Sequence, residues 1–175
     1  MLTVGVDSYV TADEAGEYIR AHYPSADARA QAWGELSEAD QEVFLRRACD
    51  SMSRLSYRGV TFTAFQPLPF PRYSYPGWAM AYRDLIAPLS YIYPELAEVP
   101  EEIKAAQIEE AFELACPSMD TKNSQAANGP VASYSIGHLS ETFRQAGEGS
   151  VAAVLKSSTA QKIVAPYVGG SYDVL

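Results

Sequence analysis

The chain has 175 residues, 47% of them hydrophobic and 20% charged, enough to bury a core without disulfides. Its net charge is −9, which argues against a protein whose task is to clamp phosphate backbones. No apolar run approaches a membrane span, and the opening MLTVGVDSYV lacks the basic and apolar regions of a signal peptide. The expectation is a protein that is intracellular, or part of something assembled inside a cell, with no membrane partner.

The first helix is announced by TADE, in which Thr11 caps and Glu14 answers three residues later. It runs from about Ala12 to His22, stops before Pro24, and turns Ala15, Tyr18 and Ile19 inward, with His22 at the edge of that face. A shorter helix is expected over Ala28 to Trp33. SEAD, with Ser37 as cap and Asp40 in reply, opens a helix from Glu38 to about Leu55. Phe44, Leu45, Ala48, Met52 and Leu55 recur there at three- and four-residue steps and form one apolar stripe. Arg46, Arg47, Arg54 and Arg58 make a sparse basic run that reads first as a solvated helix face.

Gly59 breaks the helical pattern, and QPLPFPRYSYPG, Gln66 to Gly77, follows with four prolines in twelve residues. Proline removes a backbone donor and fixes φ, so this stretch is neither an interior helix nor a central strand. It is also too apolar for a solvated linker. Pro67, Pro69 and Pro71 hold it extended, so that Leu68 and Phe70 can anchor into the helical body. Arg72 is expected to make a charge-assisted hydrogen bond to a carboxylate or carbonyl that fixes the exit direction; folding within one chain and contact with a neighbour both stand as its purpose. After a stretch cut by Pro88 and Pro94, Pro100 is expected as the first residue of a helix from Glu101 to about Cys116. Ile103, Gln107, Ile108, Ala111, Leu114 and Ala115 trace its inward face, and the pairs Glu101–Glu102 and Glu109–Glu110 read as its solvated side.

Beyond Pro117, SMDTKNSQAANGP is small and polar, a linker over 118–130. VASYSIGHLSETF reads as a strand or two-strand hairpin, with Tyr134, Ile136 and Gly137 at its centre. One or two short helices and the set Ile163, Val164, Tyr167 and Val168 follow, then a frayed tail. The expected fold is mainly α. A small helical bundle body over 1–117 carries a long ordered Pro/aromatic loop, and 131–175 form a C-terminal β/α arm. The hairpin either folds onto its own body or pairs with a neighbouring chain by strand addition.

No catalytic constellation is found. His22 and His138 have no Cys or Asp at ligand spacing, no nucleophile elbow or phosphate-cradling loop is present, and no metal or cofactor is expected. Cys49 and Cys116 read as reduced core residues, with a disulfide or redox pair as the alternative.

Several stretches together resemble the head–tail connector proteins of tailed phages, some of which are catalogued as DnaT-like single-stranded-DNA-binding domains. They are DSYVTADEAGEYI, Trp33 ahead of QEVFLRRACDSMSRL, YRGVTF followed by QPLPFPR, VPEEIKAAQIEEAFELA, SYSIGHLSETF and IVAPYV. The insert from Tyr73 to Leu96 departs from that pattern in its length and aromatic content. The resemblance implies a helical subunit of a ring, usually dodecameric, docked on the portal in the virion neck and assembled in the host cytoplasm. The ring would extend the DNA channel, let genomic double-stranded DNA pass without specific binding, and receive the next neck or tail-completion protein. Single-stranded-DNA binding is the alternative function. Twelve tyrosines and two tryptophans suit a subunit rich in interfaces. Gln66, Leu68, Phe70, Arg72, Tyr73, Trp78, Tyr134, Ile136, Gly137 and Tyr167 are the candidate interface or structural residues.

Overall fold

Thr11, Asp27 and Ser37 each end an extended approach and supply the oxygen that starts a helix. In the computed structural model, which describes residues 2–63, 65–73, 98–119, 133–136, 139–142 and 151–169, the protein is mainly helical. Helix α1, Ala12–His22, carries a full capping box: Glu14 N donates to Thr11 Oγ1 at 3.2 Å, and Thr11 N donates to Glu14 Oε2 at 2.7 Å. Ala12, Ala15 and Ile19 are buried; His22 is exposed and stacks on Tyr18 at 3.8 Å. Helix α2, Ala28–Glu35, runs two residues past Trp33 and opens on Asp27, whose Oδ1 accepts from the Arg29 and Ala30 amides. Helix α3, Glu38–Ser53, buries Leu45, Ala48, Cys49 and Met52, and Leu55 stays in the core past the helix end.

The chain leaves α3 through Gly59, whose φ of 77° lies in the left-handed region where a side chain is strained. Strand β1, Val60–Thr61, then pairs antiparallel with β2, Arg72–Tyr73, closing the loop between them at its base.

Helix α4, Glu101–Ala115, is the hub. Pro100 sits at its N-cap, one position earlier than expected, and its carbonyl accepts from Ile103 and Lys104. Burial extends round the helix: Ile103, Ala106, Gln107, Ile108, Ala111 and Phe112 are joined by Glu109, Glu110 and Glu113, whereas Leu114 and Ala115 are half-buried. The expectation that Glu109 and Glu110 face solvent is therefore corrected. Each buried carboxylate has donors that replace water. Glu109 accepts from the hydroxyls of Tyr18 at 3.2 Å and Tyr23 at 2.7 Å, both from α1 and its cap. Glu110 accepts from the backbone amides of Lys156 at 2.9 Å and Ser157 at 2.8 Å. Glu113 takes the Arg29 guanidinium at 2.6 Å and the Ser118 amide at 2.7 Å. Gln107, wholly buried, donates to Ser8 Oγ and the Leu45 carbonyl and accepts from the Tyr9 amide. One helix thus pins the N-terminal segment, α1, α2, α3 and the C-terminal segment through polar side chains.

Strands β3, Ser133–Ile136, and β4, Leu139–Thr142, pair antiparallel with Ile136 opposite Leu139. Helix α5, Val151–Val154, and helix α6, Ser158–Val164, follow, the latter capped by Ser157 and packed on α4. Leu155, Ala160 and Val164 join the same core as α1, α3 and α4. A short 3-10 turn, Ala165–Tyr167, leads into Val168, which bridges antiparallel to Tyr57. The last part of the segment expected as an arm, 151–169, thus shares one core with the body expected over 1–117. The insert 74–97 with Trp78, most of the expected linker, and Gly137 lie outside the described residues.

Candidate functional site: the clamped proline-aromatic turn

Phe70 is the anchor of the proline-aromatic stretch. Its ring is 6% exposed and meets three tyrosines edge to face: Tyr9 at 6.3 Å, Tyr57 at 4.8 Å and Tyr167 at 5.8 Å between centroids. Those tyrosines come from the N-terminal segment, the exit of α3 and the C-terminal turn. The socket exists only once three distant parts of the chain have met. Tyr9 Oη accepts from the Phe70 amide at 3.2 Å, and Leu68 is buried beside it. Burial pushes the Tyr9 and Tyr57 hydroxyls well above their ordinary value, so both stay neutral. Among the described residues the buried Tyr57 hydroxyl has no partner.

Two polar side chains replace regular backbone pairing around this anchor. Gln66 accepts from the Thr63 amide at 3.0 Å and donates to the carbonyls of Leu68 at 2.7 Å and Pro71 at 3.1 Å. Prolines 67, 69 and 71 offer carbonyls but no amides, so a side-chain donor is the group that fits. Arg72 spreads its guanidinium over four carbonyls: Gly59 at 2.7 Å, Arg58 at 2.9 Å, Tyr57 at 3.2 Å and Pro69 at 3.3 Å. Burial pulls the Arg72 pKa below its ordinary value, but the group remains a cation at neutral pH. Among the described residues Arg72 meets carbonyls, the second of the two acceptor types expected for it.

The C-terminal turn locks the same region. Arg58 N donates to Tyr167 O at 2.9 Å, Gly169 N to Ser56 O at 3.2 Å, and Arg58 Nε to Gly169 O at 2.8 Å. Tyr167, half-buried, also donates to Glu102 Oε2 at 3.4 Å. Tyr73 takes its place in β2 opposite Val60, and Tyr134 and Ile136 lie in β3 opposite Glu141 and Leu139. Gln66, Leu68, Phe70, Arg72 and Tyr167 are therefore brought together.

Phe65, which the sequence reading passed over, stands at the tip of this turn and is 97% exposed. The signal was present in the sequence: residues 51–73 carry Arg54, Arg58 and Arg72 and no acid, in a chain of net charge −9. Phe65 is thus displayed on a turn that Gln66 and Arg72 hold from below. The described residues hold no group of three His, Cys, Asp or Glu able to take a metal ion, and no helix among them is long and apolar enough to cross a membrane.

A family model described as "Putative DnaT-like ssDNA binding protein" matches residues 2–174. No curated protein and no solved structure matches the chain. The family match spans the capped helices, the clamped turn and the C-terminal lock alike, and the chain belongs to this DnaT-like family.

Proposed function

We propose that this protein is a non-catalytic structural component of a phage particle. It acts as a head–tail adaptor whose copies form a ring beneath the portal, extend the DNA channel and dock the next neck or tail component. The observation that carries this reading is the clamped turn. An irregular surface element is held by Gln66 and Arg72 on the Phe70 socket, and its tip bears a wholly exposed Phe65. Rigid apolar projections lose little entropy on docking and suit contact with protein. The acidity of the chain fits a channel wall that repels the phosphate backbone, and Glu101 and Glu102 at the start of α4 are exposed. Partners in this reading are other copies of the chain, a portal and a tail-side protein, in the virion neck. Cryo-electron microscopy of purified virion necks tests it. A ring of this chain under the portal supports the reading, and absence of the chain from the particle ends it.

Binding of single-stranded DNA is the second reading. It is favoured by the family description and by the pairing of Phe65 with the acid-free 51–73 stretch, since such binders combine stacking aromatics with positive charge. A labelled oligonucleotide at low ionic strength decides it: a salt-dependent shift supports it, and no shift at micromolar protein, by order of magnitude, counts against it.

A further inference from the structure

Residues 56–59, at the exit of α3, carry bonds on two sides. Toward the C-terminal segment, the Arg58 amide donates to Tyr167 O at 2.9 Å, Ser56 O accepts from the Gly169 amide at 3.2 Å, and Arg58 Nε donates to Gly169 O at 2.8 Å. Toward the proline-aromatic turn, the carbonyls of Tyr57, Arg58 and Gly59 accept from the Arg72 guanidinium. The rings repeat the pattern, since Phe70 of the turn meets both Tyr57 and Tyr167. One short strip of chain therefore holds the C-terminal segment and the turn at once.

Neither of the two is built to persist by itself. Helix α5 has four residues and α6 seven, too few for a helix to hold in water without a surface to pack on. Their surface is α4: α6 packs along it, Leu155, Ala160 and Val164 are buried in the common core, and Glu110 takes the Lys156 and Ser157 amides. Strands β1 and β2 have two residues each, and an isolated pair of strands is marginal even when longer. Helices α1, α3 and α4 are longer, and α1 and α3 carry side-chain caps.

We propose that residues 151–169 form a strap that opens and closes together with the proline-aromatic turn, the two being joined through residues 56–59. In the closed state the strap lies on α4, Tyr167 completes the Phe70 socket, and Phe65 is displayed. In the open state the strap has left α4, the socket lacks Tyr167, and the turn loses its form while α1, α3 and α4 stand. Whatever binds the displayed Phe65 then tightens the strap, and a partner that draws the strap off α4 dismantles the display, because such coupling is reciprocal. The device is the same whether the turn meets protein or DNA, so it depends on neither reading above.

Native-state hydrogen exchange on the full chain tests it. Three amides report: Ser157 at the Glu110 end of the strap, Gly169 at its other end, and Phe62 at the base of the turn. In wild type they exchange through one shared opening, with protection at least about ten-fold below that of the central α1 and α3 amides. Leu155→Ala weakens the strap and lowers protection at Phe62 by the same factor as at Gly169, about ten-fold or more. Arg72→Ala weakens the turn and lowers protection at Ser157 by the same factor as at Phe62. The proposal is overturned if the three amides show different opening free energies in wild type, or if they exchange as slowly as α1 and α3, so that no separate opening exists. It is equally overturned if either variant leaves the protection of the other side unchanged. The wild-type comparison decides alone should Leu155→Ala fail to fold.

Discussion

Replacing Arg72 by alanine removes the clamp from the proline-aromatic turn. The guanidinium donates to Gly59 O at 2.7 Å and Arg58 O at 2.9 Å, with longer bonds to Tyr57 O and Pro69 O. Hydrogen bonds to a charged group contribute about 1.5–3 kcal/mol each, but Arg72 is partly exposed and some freed carbonyls regain water, so the net loss should be about 2–4 kcal/mol. For a chain of this length that is a fall of roughly 5–15 °C in Tm. Arg72→Lys keeps the charge but replaces a planar fork with one ammonium, which cannot serve carbonyls before β1 and before β2 together. It should recover less than half of the loss. Thermal unfolding by circular dichroism gives the stability. Hydrogen exchange at the Phe62 amide, bonded to Pro71 O, reports whether the turn itself has opened. A Tm within about 2 °C of wild type for the alanine variant, or full rescue by lysine, would refute the clamp.

The two phenylalanines of the turn should separate cleanly. Phe70→Ala empties the tyrosine socket and should cost about 3–5 kcal/mol, while Phe65→Ala at the exposed tip should stay within about 0.5 kcal/mol, both read by urea unfolding. Burial raises the pKa of Glu110 despite the Lys156 and Ser157 amides, so its contribution to stability is complete below the ordinary value of 4.5 and declines as pH rises through the folded value. The stability advantage of wild type over Glu110→Gln should therefore shrink from pH 4.5 upward, and an advantage that grows with pH would contradict this. Burial pushes the Cys49 thiol up to about 12, so in a Cys116→Ser variant a thiol reagent should react only as fast as the protein opens. Rapid labelling of the native state would place Cys49 outside the core.

Local chemistry made much of this protein legible in its sequence. Thr11–Glu14 and Ser37–Asp40 determine where α1 and α3 begin, because caps act within one turn of the chain. The three- and four-residue spacing of Leu45, Ala48 and Met52 determines which side of α3 is buried, and the prolines determine that 66–71 is neither helix nor interior strand. The tertiary structure decided what those elements meet. Glu109 and Glu110 look solvated in a one-dimensional pattern; only when Tyr18, Tyr23 and the Lys156–Ser157 amides arrive from distant segments can a carboxylate there do without water. Phe70 likewise needed Tyr9, Tyr57 and Tyr167 to become an anchor. Phe65 and Phe70 are the same residue type five positions apart, and no local rule separates them. Burial depends on contacts between segments far apart in the chain, so the side chain that holds the turn and the one it displays are distinguished only once the chain has folded.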